Sequence, residues 1–357
     1  MAWYSCLHKE LIQGKKPTMG DRFLPNLPKT NDGFHLLASN QKTHNGSARF
    51  IMPLPQEYAK DPGLALLARC ETFYGGYEYP YRKFLDRHLE SGDLFVDVGA
   101  HFGIYSLTAA SAPCENINVL SIEPDPNNMR MLKFWVKINN RDKQIETIEA
   151  ACGADVGQTK LWPFSTMGHQ VGMLRPKEAL IPSGISVKMV SIDKLLVDRK
   201  SLSEKRVFIK IDVEGGEPAV LDGASDTLKA GRIAAIIFEK SEAYGNRDFR
   251  VEFDRVSEHL LKLGFHLYWF PHVHMAGVIM PWVSGDETGN IMAVSRKLLP
   301  NIKANPIYDG CFASYPPPPP SISEARNTSY GYQARVNFTK KIIRARATDG
   351  WRWCRPP

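Results

Sequence analysis

The 357-residue sequence lacks any apolar run of the roughly 18–20 residues that a membrane-spanning helix needs. Its opening residues, MAWYSCLHKELIQGKKPTMGDRF, hold no continuous apolar stretch of the kind that directs secretion. The six cysteines (Cys6, Cys70, Cys114, Cys152, Cys311, Cys354) are scattered, without a C-x-x-C pair or zinc-ligand spacing. That pattern speaks against a disulfide framework and a structural zinc. The expectation is a soluble cytoplasmic protein without a transmembrane segment, in which the sequons at Asn45, Asn327 and Asn337 are chance matches. Also lacking is the G-x-G-x-x-G phosphate grip of a dinucleotide site.

Charge is present but unevenly placed. The chain carries +7 overall, of which residues 321–357 hold +6 and residues 1–50 hold +4, leaving −3 for the segment between. A basic balance often marks a nucleic-acid binder, but here the body is mildly acidic, so no nucleic-acid partner is expected. With 43% hydrophobic and 23% charged residues the body has the composition of an ordinary globular domain.

Three regions follow from the composition. Residues 1–50, polar and without a sustained period, read as a loosely ordered basic extension; residues 51–298 as the folded domain; residues 299–357, with YPPPPP at 315–320, as a proline-rich basic tail. The tail's cations, with Trp351 and Trp353, suit an anionic membrane surface; a solvated tail is the simpler reading.

Inside the domain, strands and helices alternate. YPYRKFLDRHL places Tyr81, Phe84, Leu85, His88 and Leu89 on one helical face. Strands are predicted at 94–98, 117–123, in IETIEAA and ISVKMVSI, at 206–213 and 233–239, and in FHLYWF and NIMAVS. Helices are predicted over 103–111, from Pro126 onward, around 217–230 and near 249–263. RVFIKIDV is almost wholly apolar, as a strand covered on both faces should be. Repeated β–α units of this length predict an α/β fold, a doubly wound sheet with helices on both faces.

Ligands of such sheets bind at the carboxyl ends of the strands. There the sequence reads Asp97-Val98-Gly99-Ala100-His101-Phe102-Gly103, with Glu123 at the end of the next strand, placed to take the two hydroxyls of a ribose. The spacing is D-x-G-x-x-x-G. Asp97 would repel a pyrophosphate but suits the cationic S-adenosylmethionine, so the methyl donor is favoured over a nicotinamide cofactor. A side chain at Gly99 is expected to bar the donor without unfolding the domain.

FVDVGAHFGIYSLTAA, VLSIEPDPNNMRMLKFWVKIN, AACGADVGQTKLW, VKMVSIDKLL and VFIKIDVEGGEPAVLDGA, followed by IIFEKSE and GNIMAVSR, come in one order. In these segments the chain resembles the FkbM family of S-adenosylmethionine-dependent methyltransferases, over roughly residues 60–298. The resemblance implies a Rossmann-like, seven-stranded class I methyltransferase sheet and methylation of hydroxyl groups, commonly of sugars or secondary metabolites. It assigns the donor to Asp97, Gly99, Ala100, His101, Gly103 and Glu123, with Ala151 in AACGADVG. His101-Phe102 departs from the family's usual Asn and aliphatic residue, and Gly216 from a more common Ala.

For the chemistry, Lys210, Asp212 and Glu214 alternate along one strand end and so share one direction. Asp212 is the first candidate for the base that takes a hydroxyl proton, assisted by Glu214 and by Glu239 on the neighbouring strand. The same three carboxylates could instead gather a magnesium ion. A purely structural reading pairs Lys210 with Asp212 or Glu214 and has Glu217 cap the next helix. Weaker leads are His169, the H-x-H of His272 and His274, and Trp162 and Trp282 as stacking surfaces.

The sequence thus predicts an O-methyltransferase acting on a glycan or small-molecule hydroxyl. The competing readings are an NAD(P)-dependent oxidoreductase and a non-catalytic methyltransferase-like scaffold in a glycan pathway.

Overall fold

A computed structural model describes residues 34–43, 47–55, 62–73, 76–163, 169–171, 183–240, 249–271, 280–281 and 289–300. The basic tail, His272, His274 and Trp282 lie outside the described residues, as do residues 1–33. Among the described residues no helix is long and apolar enough to cross a membrane.

The central sheet is built from β3 (Leu94–Val98), β4 (Asn118–Ile122), β5 (Ile145–Ile148), β10 (Val207–Ile211), β11 (Ile233–Lys240), β12 (Phe265–Pro271), the two-residue edge strand β13 (Met280–Pro281) and β14 (Gly289–Ser295). Their order is β13-β12-β14-β11-β10-β3-β4-β5. The strands from β5 to β11 run parallel, and β14 inserts antiparallel between β11 and β12. The chain winds outward from β3 through β4 to β5 and then returns to β10 on the other side of β3. The carboxyl end of β3 is therefore the point where the winding reverses and a crevice opens. Seven strands match the expected class I methyltransferase sheet, and β13 adds a short edge.

Both faces are covered, which explains the near-continuous apolar runs of the strands. Phe95, Val119, Phe208, Ile237 and Met292 pack with α2 (Tyr79–His88), α3 (Ile104–Ala110) and α4 (Pro126–Ile138). Val96, Val98, Ile122, Ile209, Ile211 and Phe238 face α5 (Ile192–Val197), α6 (Glu217–Asp222), α7 (Ser225–Lys229) and α8 (Phe249–Lys262). The start of α4 is dictated locally: the Asp125 carboxylate accepts the N–H groups of Asn127 at 2.7 Å and Asn128 at 3.0 Å, with Pro126 in the first turn.

Three expectations need correction. The domain begins before residue 51, because His35–Ala38 (β1) pairs antiparallel with Ile51–Leu54 (β2) and buries Leu37 and Phe50. This hairpin is tied to the body by the Trp135 indole, which donates to the Pro53 carbonyl at 2.9 Å. The buried Arg82 of α2 also holds it, donating to Ser39 and Gln41 while pairing with Glu71 of α1 (Pro62–Phe73). ISVKMVSI does not join the central sheet. It forms β9 (Ile185–Val190) of a separate four-stranded sheet with β6 (Ala151–Cys152), β7 (Gly157–Pro163) and β8 (His169–Val171), around Ala151, Leu161 and Val187. Finally, the helix expected over 217–230 breaks into α6 and α7 at Gly223-Ala224. A Cβ on Gly223 would stand 2.1 Å from the Gly153 carbonyl oxygen, so the break packs directly on that loop.

The predicted face of α2 is buried as expected. On it, burial first, then Arg87 and Arg206, push the His88 imidazole down to about 4. Its Nε2 has no hydrogen-bond partner among the described residues. Between about pH 4 and the ordinary value of 6.5 the folded state therefore binds fewer protons than the unfolded state. Stability from this site is complete above the ordinary value and is lost as pH falls towards about 4. His88→Leu is predicted to remove an acid-side loss of about 2 kcal/mol at pH ~4.5. Urea denaturation of both proteins at pH ~4.5 and ~7.5 checks this; an equal acid loss in the variant contradicts it.

Candidate active site

The loop after β3 is shaped by three left-handed residues, Gly99, His101 and Gly103. Gly99 has φ +74°, and a Cβ there would lie 1.9 Å from the Asp212 carbonyl oxygen. The obstacle is thus the protein's own backbone at the end of β10, so a side chain at Gly99 acts on the fold as well as on any ligand. Both Gly99 and Ala100 donate their N–H to the Ile122 carbonyl, at 2.9 and 3.0 Å, locking the loop onto β4. His101 follows at φ 51°, a conformation that Asn and His tolerate better than most residues. That explains how His stands where the resembled family has Asn. Its ring stacks on Phe102 at 4.0 Å, and Phe102 is buried edge-on against Trp135. Gly103 caps the N-terminus of α3.

Glu123 lies buried at the end of β4, accepting the N–H of His101 and of Asp125, each at 2.9 Å, and the Asn128 amide at 3.3 Å. These bonds fix its orientation beside the loop. Asp97 sits one step deeper, fully buried, accepting from the Ser106 hydroxyl at 2.5 Å. Burial raises its carboxyl to about 6, against the Ser106 hydrogen bond and the Lys210 charge. Ala151, three residues past the end of β5, starts the small sheet and is buried in its core. Trp162 is buried in β7 and so offers no exposed stacking surface.

The chemistry-bearing residues come together at the end of β10. Lys210, in register with Asp97 on β3 and Ile237 on β11, is only 2% exposed, and its Nζ donates to Asp212 Oδ2 at 2.9 Å. Burial opposes its charge, but Asp212, Glu78 and Glu239 together hold it above the usual lysine value. Asp212 is the mirror case. Burial pulls its carboxyl up, yet Lys210 and a hydrogen bond with Glu239 hold it below the usual value.

Glu239 is raised well above the usual range by burial and by the charges of Asp212 and Glu214, so it carries the proton in that bond. Glu214 adopts φ 54° and is raised to about 8, by burial first and then by Asp212 and Glu217. Carboxylate oxygens of Asp212, Glu214 and Glu239 all lie within 4.8 Å of one another.

Glu217 plays a different part from the helix cap expected. Fully buried, it accepts the N–H of Val213 at 3.1 Å and of Gly215 at 3.0 Å, stapling the turn that carries Glu214. Three participants escaped the sequence reading. Buried Glu78, at φ 47° before α2, accepts from the Tyr105 hydroxyl at 2.7 Å and from the Asn290 amide at 3.3 Å. Lys210 Nζ sits 5.1 Å from the centre of the Tyr105 ring, a cation–π contact. Asn290 stands directly opposite Glu239 in the β11–β14 ladder. GNIMAVSR is visible as a strand, but only the register reveals which acid its asparagine meets.

The strand order and its switch point make a doubly wound α/β sheet of the class I methyltransferase type, with an acidic cluster at the strand ends. Residues 97–267 match the family described as Methyltransferase FkbM domain. Among solved structures, the methyltransferase FkbM from Methylobacillus flagellatus KT is similar at 15% identity and a TM-score of 0.39, over 57% of this chain. The present chain spans 44% of the length of that protein. The METTL16 MTase domain is similar at 13% identity and a TM-score of 0.39, over 79% of this chain and 94% of its own. An O-methyltransferase from Bacillus cereus in complex with SAH is similar at 15% identity and a TM-score of 0.35, over 60% and 80% of the two chains. No curated protein matches the sequence.

Gly99→Ala is predicted to cost about 2 kcal/mol or more, from backbone strain and from the contact with the Asp212 carbonyl. Denaturant unfolding measures it; an unchanged midpoint contradicts the close approach of the two loops.

Proposed function

We propose that the protein is an S-adenosylmethionine-dependent O-methyltransferase whose acceptor is a hydroxyl of a carbohydrate or a related secondary metabolite. The observation that carries this reading is Asp212, an ionised, Lys210-paired carboxylate at the strand end next to the reversal of the sheet's winding.

The donor lies, in this reading, against the β3 loop, with Gly99, Ala100, His101 and Gly103 along it and Glu123 at the ribose. The residues present fit that ligand: no second close glycine serves a pyrophosphate, and the local charge is acidic, which favours a sulfonium and an ammonium. Asp97 supports the loop from below through Ser106. When bound, the donor supplies an activated methyl group.

Methyl transfer is a direct displacement. The acceptor oxygen forms a bond to the methyl carbon while the carbon–sulfur bond breaks, and sulfur keeps that electron pair. The hydroxyl proton passes to Asp212, the group at the edge that is held ionised. Alignment of the two reactants supplies much of the rate, and the base contributes about 10²–10⁴-fold. Glu214 and Glu239, with raised carboxyls, hold protons and can donate hydrogen bonds to a second acceptor oxygen. A polyhydroxylated acceptor suits such a row of oxygens, which is why a carbohydrate is preferred.

A panel of sugars and hydroxylated small molecules, incubated with donor and read by mass spectrometry for one added methyl, tests the activity. Asp212→Asn is predicted to lower kcat by about 100-fold or more while donor affinity, measured by calorimetry, changes less than about threefold. Full turnover in the variant would remove Asp212 as the base. A chain that binds a nicotinamide cofactor and not the donor would overturn the reading.

A further inference from the structure

One buried carboxylate beside the acidic row comes from outside the stretch that matches the family. Glu78 precedes residue 97, where the match begins, and its partner Asn290 follows residue 267, where it ends. Glu78 stands at the N-terminus of α2 but makes no side-chain cap there. A side-chain oxygen at that position usually accepts the first free N–H groups of the helix. Here the backbone instead takes φ 47°, which residues with a side chain disfavour, and the residue is buried, its carboxyl turned to Tyr105 and Asn290. The turn is held in that shape from behind. Tyr77 donates its N–H to Glu71 Oε1 at 2.8 Å, and Arg82, paired with Glu71, donates to the Tyr77 carbonyl at 3.2 Å.

The two oxygens of Glu78 reach different members of the row of Lys210, Asp212 and Glu239. Oε2 accepts from the Tyr105 hydroxyl at 2.7 Å, and the centre of the Tyr105 ring lies 5.1 Å from Lys210 Nζ. Oε1 accepts from Asn290 Nδ2 at 3.3 Å, and Asn290 stands directly opposite Glu239 in the β11–β14 ladder. Such opposed residues hold their Cβ atoms roughly 4.5–5.5 Å apart on one face of a sheet. Glu78 is thus one neutral side chain away from the cation of the row, and one away from its protonated acid. Both of its oxygens act as acceptors, the behaviour of a carboxylate. Electrostatics agree with the geometry. Glu78 is among the acids that hold the Lys210 ammonium. At Glu239, burial, Asp212, Glu214 and Glu78 all raise the carboxyl, and Lys210 opposes them.

We propose that Glu78 is a positioning residue for this row: through Tyr105 and Asn290 it fixes the Lys210 ammonium and keeps Glu239 as the hydrogen-bonding partner of Asp212. Its use in methyl transfer rests on the reading of Asp212 as the base, although the positioning itself does not. A second carboxylate near Lys210 means that Asp212 is not its sole counter-charge. A nearby negative charge also makes a carboxylate hold a proton more readily, so Asp212 stays ionised yet is a better proton acceptor than a lone partner of Lys210. Glu78 touches neither reactant and acts only through its neighbours. The segment before the matched stretch therefore completes the site.

Carbon-13 at the glutamate Cδ reports the protonation of each carboxyl by NMR, in the full chain without donor or acceptor, with signals assigned through their bonds to the backbone. Glu78→Gln keeps the shape of the side chain and removes its charge. In that variant the Glu239 midpoint is expected about one pH unit lower than in the unmodified chain. Glu78→Asp, which keeps the charge, is expected to restore more than about half of the difference. An unmoved Glu239 midpoint in Glu78→Gln overturns the proposal, as does an equal fall in Glu78→Asp. The unmodified chain gives a check that needs no variant to fold: at pH ~7 the Glu78 carbon must show the carboxylate and the Glu239 carbon the acid. A protonated Glu78 there overturns the proposal. With an acceptor from the sugar panel, Glu78→Gln is expected to lower kcat about tenfold while the KM for the donor changes less than about threefold. An unchanged kcat removes the role in transfer. Calorimetry with the methyl donor separates the two readings. A moved Glu239 midpoint without donor binding upholds the positioning and removes the methyltransferase reading, whereas donor binding with an unmoved midpoint does the reverse.

Discussion

Lys210 is the constraint on which the rest of the site depends. An ammonium carried on a central strand, 2% exposed, is tolerable only with counter-charge close by. Asp212 supplies that at 2.9 Å, and the Tyr105 ring lies beneath it. The pair then sets the protonation of everything around it. Asp212 is kept ionised, burial and then the Asp212 charge push the carboxyls of Glu239 and Glu214 up, and Glu239 answers with a hydrogen bond. One buried cation thus sorts neighbouring acids into a base and two proton holders.

The donor loop and this acidic row are mechanically one object. The Asp212 backbone N–H donates to the Val98 carbonyl at 3.0 Å, and the Asp212 carbonyl occupies the space a side chain on Gly99 would need. The β3 loop is tied in turn to β4 through Ile122 and through Glu123, which receives His101 N–H. The proposed ribose ligand and the proposed base are therefore held in one chain of short contacts. That is the kind of rigidity a displacement reaction needs, since alignment is most of what the protein contributes.

Much of this was legible in the residues. The strands at the sheet's centre, the helix opening at Pro126, the buried face of α2 and the Lys210–Asp212 alternation follow from period, composition and local capping. What was not legible depends on register and on long-range partners. β1 looked like polar extension because its burial comes from pairing with β2 and from Arg82, later in the chain. The split of α6 from α7 rests on a contact with Gly153, and the sheet around β9 on pairings that share no local signal. Asn290 and Glu78 were missed for the same reason: each is a single polar residue whose meaning comes only from the acid or amide it meets across the fold.

The most direct test of the account is a crystal structure of the full chain with S-adenosylhomocysteine. The account predicts the ribose hydroxyls on Glu123, the ligand lying along Gly99 to Gly103, and its sulfur facing the row of Asp212 and Glu239. A ligand bound elsewhere, or one whose sulfur turns away from Asp212, would contradict it.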